Sequence, residues 1–344
     1  MMEKLNFASD YIYGAHPAVL EALCRLNDRP LTGYGTDGVT EDARALIRDA
    51  AACPEAAVHF ISGGTQANLI VIAALLSSCE GVIAADTGHI NAHEAGAIEL
   101  TGHKVLTLPG TDGKLRAADV RAFMQRFAAD ENRAHTVQPR LIYISQPTEY
   151  GTLYSLQELQ ALRAVCDAYG LYLYADGARL AYALASAGND VSLPDLSACC
   201  DAFTIGGTKC GALFGEAVVL PNGKLLPYFF TQIKQHGALL AKGFALGAQF
   251  AALFRDGLYG RIGVPAIEAA DRIRETLRKK GYALTPETPT NQIFVLLENA
   301  VYERLSQEVA LGFWEQPDDA HTVARIATSW ATTPEETDAL LRKL

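Results

Sequence analysis

Between residues 58 and 220 short apolar runs alternate with helix-patterned segments, and that alternation restricts the chain to few architectures. "VHFIS" is followed by "TQANLIVIAALLSS", "GVIAAD" by "NAHEAGAIEL", and "KVLTL" by a helical pattern near 116–130. Then come "RLIYIS" with "LQELQALRAVCDAYG", followed by "LYLYAD", "AFTIG" and "AVVLP". Strands apolar on both faces and separated by helices pair mainly in parallel and lie buried between helical layers. The fold class is therefore α/β. Residues 228–256 read as one long helix and "GVPAIEAADRIRETLRKKG" as another. The looser order of "NQIFVLLE", "NAVYERLSQEVA", "HTVARIATSW" and a helix after Pro334 predicts a smaller α+β C-terminal domain. At 344 residues the chain exceeds a comfortable single core. The expected division is a large domain over 26–250, with 1–25 and 251–344 forming the small one.

A net charge of −10 argues against nucleic acid or anionic membrane as a general partner, leaving a small molecule as the expected ligand. The seven cysteines lack CxxC spacing and lie mostly in apolar segments, as reduced thiols of a cytoplasmic protein do. No targeting segment or membrane span is expected, since no window of about 18 uninterrupted apolar residues occurs.

Parallel sheets place ligands beyond the carboxyl ends of their strands, and four features fall there. "GGTQAN" follows the first run, offering close backbone approach and a helix N-terminus to a phosphate, or forming only a tight turn. His89 follows "GVIAAD"; its ring could stack on a planar heterocycle. His93 makes an i,i+4 pair with it, but HExxH is absent and no third ligand is near, so no metal is expected. Asp176 ends "LYLYAD" and needs a cation, either Arg179 or a ligand group that can be protonated. Lys209 sits in "AFTIGGTKCGALFG", either as a surface lysine on a glycine loop or as an amine held against a carbonyl cofactor. Together, the anion site, face contact, acid and amine match what pyridoxal phosphate requires.

The chain resembles the threonine aldolase and β-eliminating lyase family, pyridoxal-phosphate enzymes of the aspartate-aminotransferase-like type I fold. The resemblance rests on "SDYIYGAHPAVLEAL", "YGTDGVTEDARAL", "SGGTQAN", "DTGHINAHEAGAI", "YADGARL", "GGTKCG" and "ARIATSW" in matching order. It implies that Lys209 bonds the cofactor, Asp176 pairs with its ring nitrogen, His89 stacks on the ring, and Gly64 with Thr65 cradles the phosphate. Ser9, Arg179 and Arg325 match positions that bind the substrate carboxylate, with Arg179 also against the cofactor. Tyr34 and His135 fall where relatives line the substrate side, and Lys234 where a cation can be offered to a phosphate across a subunit boundary. Two segments depart from the family pattern: "GGT" before the lysine, and "SQPTEYG" where an Asn-Thr-His segment is expected.

The implied reaction is retro-aldol cleavage of an L-β-hydroxy-α-amino acid to glycine and an aldehyde, with His89, or a water held by His89 and His135, as the base. The implied assembly is a homodimer or homotetramer with sites between subunits. β-Elimination, racemisation or transamination on the same cofactor is the alternative within the class. A non-catalytic phosphate-binding protein, with Lys209 paired only to Asp176, is the alternative outside it.

Overall fold

The computed structural model describes residues 4–344 and contains thirteen strands within them. In chain order these are β1 (Leu5–Asn6), β2 (Ala57–Ile61), β3 (Glu80–Ala85), β4 (Val105–Leu108), β5 (Gln138–Ser145), β6 (Tyr172–Asp176) and β7 (Ala202–Gly206). They continue with β8 (Glu216–Leu220), β9 (Ala283–Leu284), β10 (Gln292–Glu298), β11 (Val309–Ala310), β12 (Gly312–Glu315) and β13 (His321–Ala327).

Seven of them form the main sheet in the order β2-β8-β7-β6-β5-β3-β4. β8 runs antiparallel to both neighbours, so six strands share one direction and one opposes it. Every residue of β7 and β8 is buried, as the unbroken apolar runs require. Alternate residues of the strands enter separate cores. Ile83, Ile142, Leu173 and Phe203 pack on one side, and Val82, Leu141, Tyr174 and Ala202 on the other.

The helix Gly64–Leu75 lies on the second of these faces and is apolar nearly all round, with Asn68 its one buried amide. Helix Leu156–Tyr169 begins with a capping box between Ser155 and Glu158 and stops at Gly170 in the left-handed region. The long helix expected over 228–256 is instead two, Phe229–Gln235 and Phe244–Phe254. Gly237, at φ +72°, breaks the run between them.

β9, β10, β12 and β13 form a second, antiparallel sheet in the order β12-β13-β10-β9. It packs a third core with the helix Val264–Lys279, through Ile273, Leu277, Ile293, Val295 and Ile326. β1 pairs in parallel with β11, which brings the N-terminal segment and Phe7 onto this core.

Candidate active site

Five chain segments meet at the carboxyl edge of the main sheet. The turn after β2, the loops after β3, β5 and β7, and the end of β6 together line one cavity. Its walls include Gly64, Thr65, His89, Glu149, Asp176 and Lys209. A second chamber opens in front of it, sharing His89, Glu149, Arg179 and Lys209 and adding Trp314 and Arg325 from the small sheet.

The spacing of acid and amine is set by main chain. Gly206 N–H donates to Gly177 O at 2.9 Å, joining the loop after Asp176 to the end of the strand before Lys209. A Cβ on Gly177 would stand 2.0 Å from Thr204 O, and one on Gly206 2.3 Å from Ala178 O. Only glycine permits backbones to approach this closely.

Asp176 is buried, and its Oδ2 accepts from Asn68 Nδ2 and from Tyr143 Oη, each at 2.8 Å, while Oδ1 accepts from Ala178 N–H at 2.9 Å. Burial opposes its ionisation, but the positive charge of His89 when protonated, these hydrogen bonds and Lys209 outweigh it and hold the carboxyl below its ordinary pKa. A fixed negative charge thus stands at the floor of the cavity. Lys209 is pushed the other way. Burial and then the charge of Arg179 lower its pKa, partly offset by Asp10, Glu216 and Asp176. The amine is therefore more readily neutral, and more nucleophilic, than a surface lysine.

His89 is fixed from behind. Its Nδ1 lies 2.7 Å from Glu94 Oε1, whose side chain is fully buried. Because a carboxylate only accepts, the pair places the proton on Nδ1. Asn68 Nδ2 donates to the same Glu94 oxygen at 2.7 Å, so His89, Glu94, Asn68 and Asp176 form one connected chain.

Arg179 is held by the N-terminal segment. Its Nε and Nη2 donate to the two oxygens of buried Asp10 at 2.6 and 3.0 Å, and Asn291 Nδ2 donates to Asp10 as well. Arg325, in β13, donates from Nη2 to Ala8 O at 2.9 Å, leaving its buried Nε without a partner. The adjacent Ser9 Oγ is also buried and unpartnered. Such orphaned polar atoms, two donors beside one another, are what an absent carboxylate leaves behind.

Gly64, Thr65, His89, Asp176, Arg179 and Lys209 thus line the cavity, and Arg325 lines the chamber beside it. Tyr34 and Lys234 stand together elsewhere, with Lys234 Nζ 4.5 Å from the Tyr34 ring centre, and Tyr34 borders a separate hollow with Phe230 and His59. His135 is not brought to the site. It ends an exposed 3-10 turn, Arg133–His135, ahead of β5, at the edge of the sheet opposite the cavity. The resemblance put it on the substrate side, but a residue that precedes β5 stands at that strand's amino end, away from the ligand edge.

The sequence reading missed Asn68, Glu94, Glu149, Asp10 and Glu216. Glu216 opens β8 opposite Gly206, and because β8 runs backwards its first residue reaches the ligand edge. Burial and the charge of Asp176 push its carboxyl up to about 8, against the pull of Lys209 and of hydrogen bonds from Thr208 and Gly207 N–H.

An amine past β7, a buried carboxylate ending β6 and an open helix N-terminus past β2 suit pyridoxal phosphate. Gly63 and Gly64 have nothing within 4 Å of where a Cβ would stand, and the first turn of Gly64–Leu75 has no side-chain cap. The fold and the site define a pyridoxal-phosphate enzyme of the aspartate-aminotransferase-like type I class. An aspartate aminotransferase from Thermus thermophilus superposes with a TM-score of 0.73 at 15% identity, over 99% of this chain and 91% of that one.

The family model for beta-eliminating lyases matches residues 6–300, and the chain belongs to that family. A threonine aldolase structure from Leishmania major is 42% identical, with a TM-score of 0.94 over 98% of this chain and 97% of that one. A low specificity L-threonine aldolase from Pseudomonas aeruginosa is 31% identical over 98% of this chain and 96% of its own length. Another, from a Pseudomonas species, is 32% identical over 88% and 87%.

Proposed function

We propose that the chain is an aldehyde-lyase that cleaves L-β-hydroxy-α-amino acids of the threonine and phenylserine type to glycine and an aldehyde. The observation that carries this reading is the placement of Lys209 on both the cavity that Asp176 lines and the adjoining chamber that Arg325 lines, with the unpartnered Arg325 Nε beside the backbone of Ala8 and Ser9. An amine, an electron-sink partner and a carboxylate site are the requirements for an α-amino acid reaction.

Lys209 would hold the cofactor covalently through its amine. The first turn of helix Gly64–Leu75, with Thr65, holds the phosphate. His89, its ring fixed by Glu94, covers the face of the heterocycle. Arg325 and Ser9 hold the substrate carboxylate with Arg179, whose orientation is set by Asp10. When bound, the cofactor supplies a conjugated ring that takes up the electron pair released at the α-carbon. Asp176 keeps a negative charge beside the ring nitrogen and so favours its protonated form. Lys209, which lines both the cavity and the chamber, would also be placed to return a proton to the α-carbon.

Tyr34 and Lys234 lie outside this cavity, where the exposed Tyr34 ring borders a hollow with the exposed Phe230. Such exposure supports a homodimer, or a homotetramer built as a dimer of dimers, in which these two residues complete the partner's site. All seven cysteines are unpaired, four of them buried, which supports a reducing, cytoplasmic setting. Among the described residues no helix is long and apolar enough to cross a membrane.

The test is an absorbance scan of the protein with added pyridoxal phosphate, followed by L-threonine and an aldehyde-coupled assay. A lysine-linked band with aldehyde release is expected. A band without aldehyde, together with pyruvate and ammonia from a β-substituted amino acid, would move the assignment to β-elimination; no band would end it.

A further inference from the structure

Retro-aldol cleavage needs an acceptor for the proton of the substrate β-hydroxyl. Three carboxylates line the cavity. Asp176 is saturated by Asn68, Tyr143 and a backbone N–H, and it belongs to the cofactor. Glu216 opens β8 beside Gly206, and its carboxylate accepts from Gly207 N–H. Glu216 lines only this cavity, whereas Glu149 lines both it and the outer chamber, where Arg179 and Arg325 place the amino acid.

Glu149 follows β5 and is buried. Its Oε1 accepts from Ser145 Oγ at 2.6 Å and from His89 N–H at 2.9 Å. Those two bonds anchor one oxygen. Among the described residues Oε2 has no protein hydrogen bond, and it is not among the fully enclosed polar atoms. His89 has Nδ1 held by Glu94 and its ring face assigned to the cofactor, which leaves His89 Nε2 as the competing acceptor that the Glu149 variant below distinguishes.

We propose that Glu149 Oε2 accepts the β-hydroxyl proton, making Glu149 the base of carbon–carbon cleavage. This rests on the aldehyde-lyase reading above. The hydroxyl O–H bond breaks and its proton passes to Oε2, while the O–H electron pair becomes the second bond of the aldehyde carbonyl. The Cα–Cβ bond breaks, and its pair passes through Cα into the cofactor's conjugated system. Cα then takes a proton from the Lys209 ammonium, and the proton held by Glu149 returns through water to the Lys209 amine, so the sum is one amino acid converted to glycine and aldehyde. Burial and the charge of Asp176 raise the Glu149 pKa, while Ser145, a backbone N–H and His89 oppose the rise. A carboxylate moved toward neutrality is a stronger base. The remaining titratable or charged groups that line the cavity and the chamber are Tyr11, His93, Arg179, Lys209, Glu216 and Arg325.

Glu149→Gln keeps an acceptor oxygen for Ser145 and His89 N–H and removes the basicity. The cofactor-loaded variant is compared with wild type in two reactions: aldehyde release from L-threonine, and exchange of the glycine α-proton in deuterated water, which involves no β-hydroxyl. Aldehyde release is expected to fall by about 10²-fold or more, the usual worth of a positioned base, while glycine exchange persists. Equal loss of both, or loss of neither, overturns the proposal. Should the variant not hold cofactor, the wild-type pH profiles decide. Aldehyde release should decline on the acid side as Glu149 protonates, with no such limb in glycine exchange; a shared limb, or none, overturns the proposal. A wild type that releases no aldehyde defeats the lyase reading itself, and this proposal with it, whereas an active wild type with an equally active variant defeats only the proposal.

Discussion

Asn68 Nδ2 lies 2.8 Å from Asp176 Oδ2, so a helix on one face of the sheet orients the carboxylate at the end of a central strand. The same amide reaches Glu94, and its oxygen accepts from Tyr174 Oη at 2.7 Å. Asn68→Ala would leave two buried carboxylates without their common donor and a buried tyrosine without its acceptor. We expect a loss of about 1–3 kcal/mol in stability and weaker cofactor retention. Thermal melts and titration of the cofactor-free variant with pyridoxal phosphate measure both, and unchanged values would contradict the linkage.

Lys209→Ala should bind pyridoxal phosphate without the absorbance band of a lysine-linked cofactor, and turnover should fall to background. Alanine removes a charge that burial disfavours and adds no bulk, so the fold should persist. A retained band in the variant would show that another amine bonds the aldehyde.

Trp314 forms the outer wall, its ring centred 4.8 Å from Phe294, 5.4 Å from Tyr150 and 6.0 Å from His93. An aryl side chain on the substrate would join this cluster, at about 0.5–1.5 kcal/mol per aromatic pair. Trp314→Ala should therefore lower kcat/KM for phenylserine by up to about tenfold more than for threonine. Equal losses for the two would remove Trp314 from specificity.

Glu216 carries a pH prediction of definite sign. Its folded pKa, about 8, lies above the ordinary 4.5, so between those values the folded, cofactor-free protein keeps a proton that the unfolded chain has released. The group's contribution to stability falls as pH rises through that window and is lowest above it. Glu216→Gln should raise the melting temperature relative to wild type by about 2 °C or more at pH 9 and have little effect at pH 4. Differential scanning fluorimetry at the two pH values would refute this if the sign reversed.

His135→Ala should leave kcat/KM within about twofold of wild type, the range of an ordinary surface substitution. Steady-state kinetics on L-threonine test this directly.

The cofactor side of the site was readable because each of its residues follows an apolar strand, and the strand-end rule locates such residues without coordinates. The rule also points to Glu149, just past "RLIYIS", whereas His135 precedes that strand and stands at its other end. Asn68 had a signal of its own: an amide inside "TQANLIVIAALL" cannot be buried without partners. Glu216 was less accessible, since a strand taken as parallel puts its first residue at the wrong edge, and only pairing partners reveal the reversal. Asp10 and Arg179 are 169 residues apart in sequence, and no local pattern links an N-terminal acid to that guanidinium.

The glycine contact between the Asp176 and Lys209 loops bears on redesign. Neither Gly177 nor Gly206 has room for a methyl group, and a main-chain hydrogen bond joins them, so side-chain replacement can alter the identity of acid and amine but not their separation. Diversity introduced to redirect the scaffold toward bulkier aldehydes therefore belongs on the wall that the small sheet contributes, at Phe313 and Trp314. Variation there leaves the covalent chemistry in register, whereas libraries that touch the two glycines will mostly sample misfolded chains.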